Sequence, residues 1–214
     1  MNKKMNSNLF IIAKYSYHYV LYAALAFLVF YMFDFEFLAT LAFFTTLFFL
    51  AVFRNPEREL QNFESTSVLA PCDGVVSSIE ELEDEEYRYK VEIDSSITDV
   101  GILRAPTSGK VKNIKLTNGT KLSKSSKLFH DLNDSLTIEF VDEKQNSIKV
   151  VHRLKQSCFP IFCDLTDTQE VMKSLRYGFA SNCVTTIYLK SNVRLDLQVA
   201  QKVRASESLI AYFS

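Results

Sequence analysis

Hydrophobic residues are distributed unevenly along the 214-residue chain. Two almost uninterrupted apolar segments, residues 9–33 and 37–53, fill the N-terminal quarter and are separated by the acidic stretch "DFE". Each segment is close to the roughly 20 residues with which a helix crosses the hydrocarbon core of a bilayer, although Lys14 and His18 interrupt the first. The pattern therefore predicts an N-terminal hairpin of two membrane helices within residues 1–58.

The charges around these segments predict the orientation of the hairpin. They are Lys3, Lys4 and Lys14 near its start, Asp34 and Glu36 in the connecting turn, and Arg54 and Arg58 after its end. By the positive-inside rule both ends face the cytoplasm, which places the protein in the cytoplasmic (inner) membrane of a cell. A secretory signal peptide fits less well, because a second apolar segment follows the first. A hairpin that lies within one leaflet is an open alternative.

From residue 59 onward the pattern changes to short runs of β-branched and aromatic residues, separated by Gly, Asn, Asp and Ser. These runs are residues 68–79, 87–93, 101–116, 135–142, 146–154, 183–189, 193–199 and 208–213. Runs of this length and spacing are typical of β-strands. Residues 59–214 are therefore predicted to form an all-β domain.

Two of these runs are copies of one pattern. "APCDGVVSSI" (70–79) and "APTSGKVKNI" (105–114) share A-P-x-x-G-x-V-x-x-I, in which Pro presets the entry φ and Gly permits a turn. The C-terminal stretch 197–213 has a strand-turn-strand pattern that would complete such a unit. The three stretches resemble the barrel-sandwich fold of biotinyl and lipoyl carrier domains. A carrier function is not predicted, since Met172-Lys173 is expected to lie outside the repeat and no other lysine occupies a carrier-type hairpin tip.

The net charge and the spacing of the cysteines argue against nucleic-acid binding and against a zinc site. The chain has 24 basic and 25 acidic residues, so its net charge of −1 provides no field that would attract nucleic acid. Four cysteines, in a cytoplasmic domain, are expected to be free thiols. The "CFPIFC" stretch from Cys158 to Cys163 lacks the second Cys or His pair of a zinc site, and no metal is predicted. Two buried thiols on an apolar strand are expected there instead.

Five features in order along the chain carry a resemblance to a known family. They are the hairpin, "FRNPERE" (53–59), "APCDGVV" (70–76), "RAPTSGKV" (104–111) and the C-terminal stretch 188–211. Together they resemble the short, membrane-anchored phosphatidylserine decarboxylases, including their archaeal-type relatives. The resemblance covers nearly the whole chain. It implies conversion of membrane phosphatidylserine to phosphatidylethanolamine and CO₂, with the phospholipid as partner and with a second copy or another protein as further candidates.

The resemblance also implies a cofactor that the chain makes from itself. In this family a Gly-Ser bond near the C-terminus of a proenzyme undergoes an N-to-O acyl shift and elimination, which leaves a pyruvoyl group. Its carbonyl takes up the substrate amine and accepts electrons as CO₂ departs. An Asp, a His and the Ser carry out the self-cleavage, in which the Asp holds the imidazole that accepts the hydroxyl proton.

Only part of this machinery is carried over onto the chain. The family's Asp falls on Asp73, for which a simple role in a D-G turn is the alternative. The His falls on Gly101. The Gly-Ser pair, aligned backward from Tyr188, falls on Asn182-Cys183. The resemblance thus implies Asp73 and Cys183 as catalytic residues, Asn182–Cys183 as the cleaved bond, and Cys183 as the pyruvoyl precursor.

The changed residues leave several alternatives open. A thiol is a better nucleophile than a hydroxyl at neutral pH, so Cys183 would support an N-to-S shift. Ser181 is the alternative nucleophile, and it follows Ala180, whereas the family has Gly there. His130 or His152 would supply a displaced base. Two hypotheses follow: an active decarboxylase, or a catalytically inactive relative that binds lipid headgroups or a partner protein at the membrane.

Overall fold

The computed structural model of the protein describes residues 12–58, 63–83, 86–142 and 144–213. Contacts divide the chain into two compact units, Met1–Glu57 and Arg58–Ser214. The predicted start of the first apolar segment, at residues 9–11, and its flanking Lys3 and Lys4 lie outside the described residues.

The N-terminal unit consists of helices, as the apolar segments predict. A 3₁₀ turn, Lys14–Ser16, leads into α1 (Tyr17–Met32), and α2 (Glu36–Val52) follows after a short turn. The helices pack antiparallel: the ring centroid of Tyr19 lies 5.9 Å from that of Phe49, and Phe27 lies 5.7 Å from Phe43. The continuous helical segment Lys14–Met32 is long and apolar enough to cross a membrane, while α2 is apolar and shorter.

The C-terminal unit is built almost entirely of β-strands. Its strands are β1 (Ser67–Leu69), β2 (Gly74–Glu81), β3 (Tyr89–Asp94), β4 (Ile102–Arg104), β5 (Gly109–Thr117), β6 (Ser135–Val141), β7 (Ser147–Leu154), β8 (Phe162–Cys163), β9 (Glu170–Val171), β10 (Arg176–Phe179), β11 (Cys183–Leu189), β12 (Val193–Leu195), β13 (Lys202–Val203) and β14 (Leu209–Phe213). A single helical turn, α3 (Phe129–Leu132), precedes β6. The predicted β-rich domain is confirmed, and each predicted run contains strand residues. The apolar strand expected between Cys158 and Cys163 is present as β8, and the short strands β9 and β10 were not predicted.

Most of the strands belong to one sheet with β11 near its centre. The eight-stranded order is β13-β2-β3-β11-β7-β6-β5-β9, and two three-stranded sheets have the orders β1-β14-β12 and β4-β10-β8. In β11 every residue except Tyr188 is buried. A strand that is covered on both faces has no reason to alternate polar and apolar residues. This explains the continuous run "CVTTIYL".

The two copies of the A-P-x-x-G repeat occupy equivalent places in this sheet. Gly74 begins β2 and Gly109 begins β5, both at φ +155°. A Cβ atom would lie only 2.5 Å from the Asp94 carbonyl oxygen at the first position and 2.1 Å from the Val141 carbonyl oxygen at the second. Only glycine fits both the dihedral angle and the close approach of the neighbouring backbone.

Each copy is paired by a similar partner segment. The amide of Val76 donates to the Gln201 carbonyl and that of Val111 to the Gln169 carbonyl, each at 2.9 Å. β13 pairs with β2 as the C-terminal pattern predicts, and β9 pairs with β5. Met172-Lys173 follows β9 directly and belongs to no strand, as expected. The two partner segments share only Q-x-V-x-x-S, which is too little to recognise without the pairing.

Candidate active site

The turn between β10 and β11 holds the bond that the resemblance marks for cleavage. Asn182 adopts the left-handed conformation with φ +55°, which Asn tolerates better than most residues that carry a side chain. Its side-chain amide donates to the Gln156 carbonyl at 2.7 Å, and its own carbonyl accepts the Lys155 amide at 2.9 Å. The peptide bond ahead of Cys183 is thus held in one conformation by contacts with residues 155–156.

Cys183 is the first residue of β11 and is fully buried. Its Sγ lies 3.8 Å from the Ala180 carbonyl oxygen and 3.8 Å from the Thr185 Oγ1. Burial raises the pKa of the Cys183 thiol to about 11, because a thiolate would lose its hydration there. The thiol is therefore protonated at neutral pH, and any reaction with the neighbouring carbonyl requires a proton acceptor.

Asp73 lies between β1 and β2, and its carboxylate is bound by a cation. Arg58 donates two hydrogen bonds to the two carboxylate oxygens, at 2.7 and 2.6 Å, and the Ala205 amide donates a third at 2.9 Å. The side chains of Arg58 and Asp73 are only 6% and 11% exposed. Arg58, one of the charges that follow the predicted hairpin, thus lies at the start of the β-rich unit with its guanidinium buried in an ion pair.

Asp73 and Cys183 are joined through one serine. The Ser95 amide donates to the Cys183 carbonyl at 2.9 Å, and the Ser95 hydroxyl donates to the Asp73 carbonyl. The backbone of Asp73 thus lies close to the predicted cleavage site, while its carboxylate binds Arg58 and Ala205. The sequence contains no local signal for Ser95 or Arg58, because each meets its partner only in the folded chain.

Gly101 lies beside the same turn. Its carbonyl accepts the Ala180 amide at 2.8 Å, so position 101 is next to residues 180–183, where the resemblance implies a histidine. A Cβ atom at Gly101 would lie 2.7 Å from the ring of Phe179, which is fully buried. The ring of Phe179 therefore occupies the space into which a side chain at position 101 would project.

We expect Gly101→His to lower the free energy of unfolding by about 1–3 kcal/mol, since it adds a ring to a filled core. Phe179→Ala alone should cost about 3–5 kcal/mol through the cavity it leaves. Because the new imidazole can fill that cavity, the double variant should be more stable than the sum of the two losses predicts. Urea unfolding of the four proteins measures this coupling, and strict additivity would contradict the proposed overlap of the two side chains.

His152 in β7 is connected to Cys183 through the hydroxyl of Thr185. His152 is fully buried, with Nδ1 2.8 Å from the Thr185 Oγ1 and Nε2 2.6 Å from the Tyr177 Oη. Thr185 in turn lies 3.8 Å from the Cys183 Sγ. His130 lies in α3 and is exposed. Of the two displaced bases considered, the structure brings only His152 into this network.

Burial also determines the protonation of His152. It lowers the pKa of His152 to about 3, so the imidazole is neutral at physiological pH. A neutral imidazole has one donor and one acceptor nitrogen, which suits the two hydroxyls of Thr185 and Tyr177.

The lowered pKa predicts acid sensitivity of the C-terminal unit. Below about pH 6.5 the unfolded chain binds a proton at residue 152 that the folded chain does not bind until about pH 3. Stability should therefore fall as the pH decreases from 6.5, by up to about 1.4 kcal/mol per pH unit. Urea unfolding between pH 7 and 4.5 tests this. His152→Gln should lose the dependence and the exposed-site control His130→Gln should retain it; equal slopes in both would refute the assignment.

The remaining thiols and hydroxyls differ in their surroundings. Cys72 is fully buried near Cys183, and burial raises the pKa of its thiol. Cys163 in β8 is half-buried and Cys158 is exposed, so the expectation that both are buried is wrong. The described residues contain no group of three or more His, Cys, Asp or Glu that could hold a metal ion. The buried hydroxyl of Ser181, the alternative nucleophile, has no hydrogen-bond partner among the described residues.

The residues around Asn182–Cys183 fit the formation of a pyruvoyl group. Cysteine has the same three-carbon skeleton as serine, so either residue can give the same product after its heteroatom is lost. The Lys155 amide already donates to the Asn182 carbonyl oxygen, where negative charge would develop when that carbonyl is attacked.

Comparisons with known proteins identify the family of the chain. The model of the phosphatidylserine decarboxylase family matches residues 45–211. The chain is 32% identical over 188 residues to the phosphatidylserine decarboxylase proenzyme of Geobacter sp. (strain M21), with 80% of each chain covered. It is 30% identical over 179 residues to that of Wolbachia pipientis wMel, covering 78% of this chain and 76% of the relative. For that of Desulfotalea psychrophila the identity is 27% over 172 residues, covering 77% and 79%. The match extends from α2 to β14, and the chain therefore belongs to the phosphatidylserine decarboxylase family.

Proposed function

We propose that this protein is a self-processing decarboxylase that converts phosphatidylserine to phosphatidylethanolamine and CO₂ in phospholipid biosynthesis. The observation that carries this proposal is the Asn182–Cys183 bond. It sits in a left-handed turn, with a buried thiol beside it and the Lys155 amide on its carbonyl oxygen. The family membership supports the same reaction, since the relatives are named as proenzymes.

The proposed processing step uses groups of this chain alone. The Sγ of Cys183 adds to the carbonyl carbon of Asn182, the C–N bond breaks, and the products are a thioester and a free amine on residue 183. Loss of the Cα proton of residue 183 then breaks its C–S bond and releases the N-terminal fragment as a thiocarboxylate. The unsaturated residue that is left takes up water and loses ammonia, which gives the pyruvoyl group.

Once formed, this pyruvoyl group would supply the carbonyl that accepts electrons during decarboxylation. The chain contributes the surroundings. Lys155 binds Asp94 at 2.5 Å and Lys124 binds the same carboxylate at 2.9 Å, which leaves one net positive charge near the start of β11. The Lys124 side chain is 35% exposed. We infer that this partly exposed cationic pair attracts the anionic phosphate of the lipid headgroup.

The helices of the N-terminal unit support a membrane location. Many of their large apolar side chains are exposed, among them Leu21, Tyr22, Phe37 and Phe44. Soluble proteins rarely expose apolar surface of this extent. We propose that α1 and α2 are held in the cytoplasmic (inner) membrane and that the β-rich unit faces the cytoplasm, with Lys14 and Arg54 on the cytoplasmic side.

The test is conversion of labelled phosphatidylserine by the purified full-length chain in mixed micelles. We expect labelled phosphatidylethanolamine and CO₂, and the intact mass should show two fragments that separate before residue 183. If no label appears in phosphatidylethanolamine and the chain stays in one piece, the proposal is overturned. It would leave an inactive relative that binds headgroups.

A further inference from the structure

We propose that His152 and Thr185 replace the histidine that the family places at position 101, with the Thr185 hydroxyl passing the Cys183 proton to the His152 imidazole. This inference rests on the proposed self-processing at Asn182–Cys183. His152 touches no reacting atom, so it is a positioning residue that acts through Thr185.

The strand register brings the three side chains into line. Cys183 and Thr185 are two residues apart in β11 and therefore point to the same face of the sheet. Thr185 pairs directly with His152 in the neighbouring strand β7. The resulting chain of contacts is Sγ to Oγ1 at 3.8 Å and Oγ1 to Nδ1 at 2.8 Å, and all three residues are fully buried.

A relay requires one particular tautomer of His152. The Thr185 hydroxyl must donate to Nδ1, so that its oxygen is free to accept the Cys183 thiol proton. Nε2 then carries the hydrogen and donates to the Tyr177 Oη at 2.6 Å. Tyr177 thereby holds the ring in place from the other side, in the way that a second hydrogen bond commonly selects the tautomer of a histidine.

The other ionisable groups around the thiol are less suitable as proton acceptors. They are Asp73 and Cys72 ahead of β2, Asp94 at the end of β3, Lys155 after β7, and Tyr177 in β10. The Asp73 carboxylate is bound by Arg58, and that of Asp94 is bound by Lys155 and Lys124. Burial raises the pKa values of Cys72 and Tyr177, which keeps both protonated. The His152 imidazole is thus the one neutral nitrogen base in this part of the described chain.

The proton transfers balance over the acyl shift. As the bond from the Cys183 Sγ to the Asn182 carbonyl carbon forms, the thiol proton moves to the Thr185 oxygen and the Thr185 proton moves to the His152 Nδ1. When the C–N bond breaks, the same path in reverse returns a proton toward the leaving amine of residue 183. Burial disfavours the charged imidazolium, so the transfer is slow, which suits a reaction that each chain undergoes once.

The test follows cleavage by intact mass in the full-length chain. Thr185→Val preserves the side-chain volume but removes the hydroxyl, and we expect at least a tenfold slower cleavage at pH 7. Thr185→Ser should restore the rate. Thr186→Val is the matched control, because it makes the same change one residue further along β11, where the side chain points to the opposite face of the sheet. The buried Thr186 hydroxyl has no hydrogen-bond partner among the described residues, so cleavage of this variant should stay within a few-fold of the parent.

The pH profile separates a relay from simple loss of stability. With an internal acceptor, the parent rate should change little between pH 7 and 9. Thr185→Val must depend on thiolate formed by hydroxide, so its rate should rise about tenfold per pH unit, because the pKa of the Cys183 thiol is raised to about 11. Equal rates and equal profiles in the parent and Thr185→Val would overturn the relay while leaving the self-processing intact.

A second measurement does not depend on cleavage. In chain labelled with ¹⁵N-histidine, the relay predicts that the His152 Nδ1 is unprotonated and that Nε2 carries the hydrogen, and Thr185→Val should shift the Nδ1 resonance. If the parent chain remains whole in the mass measurement, the proposed function fails; an Nδ1–H tautomer of His152 overturns the relay whether or not the chain is cleaved.

Discussion

Replacing Cys183 by alanine should abolish cleavage of the chain and, with it, all formation of phosphatidylethanolamine. The parent should give an N-terminal fragment that ends at Asn182 and a C-terminal fragment of residues 183–214. The variant should remain one chain of 24.5 kDa. The physical reason is that alanine has no atom that can attack the Asn182 carbonyl and no leaving group for the elimination. Intact mass and the labelled-lipid assay measure both losses.

Cys72→Ala is the matched control for this experiment. Cys72 is also a fully buried thiol near the same turn, so the two substitutions remove the same atoms from similar surroundings. We expect Cys72→Ala to be cleaved like the parent. Cleavage that persists in Cys183→Ala and disappears in Ser181→Ala would show that Ser181 is the nucleophile and that the alignment is displaced.

Removing Arg58 should produce a large loss of stability in the β-rich unit. Arg58→Met leaves the buried Asp73 carboxylate without its two charge-assisted hydrogen bonds. Breaking one partner of a buried ion pair typically costs about 3–5 kcal/mol, because the remaining charge is neither hydrated nor compensated. Urea unfolding of the full-length chain in mild detergent, followed by the circular dichroism of the β-sheet, measures this loss.

The double variant Arg58→Met/Asp73→Leu should regain most of that stability, since neither charge remains in the buried site. Arg204→Met is the control for loss of a surface arginine. Its side chain is 66% exposed and lies 3.6 Å from Glu207, and such exposed pairs contribute about 0–1 kcal/mol. A loss for Arg58→Met no greater than that for Arg204→Met would contradict the importance of the buried pair.

The architecture follows from local patterns to a large extent. Apolar segments of helical length predict α1 and α2, and β-branched runs predict the main strands. Both predictions succeed because the pattern of apolar residues along a short stretch reflects which residues are buried. The repeated A-P-x-x-G also identifies two glycines whose φ and close contacts exclude any side chain. Strands β9 and β10 were not predicted from such patterns, because they are only two and four residues long and pair with strands far away in the sequence.

Within the candidate site, the family resemblance implies Asp73, Gly101 and Cys183 but does not indicate which residues surround them. Only the folded chain shows that Asp73 is bound by Arg58 and that the ring of Phe179 occupies the space beside Gly101. Each of these contacts joins residues that are far apart in sequence. No short sequence pattern around either residue therefore indicates its partner.

His152 shows most clearly which features the sequence determines and which depend on the tertiary structure. Two-residue spacing in a strand suffices to place Cys183 and Thr185 on one face, and any reader of the sequence can infer it. That His152 stands opposite them depends on the register of β7 against β11, which joins residues more than thirty positions apart. A shift of one residue would turn the imidazole to the other face of the sheet. Register is determined by the packing of the whole core, and so the partner of the thiol is decided by tertiary structure alone.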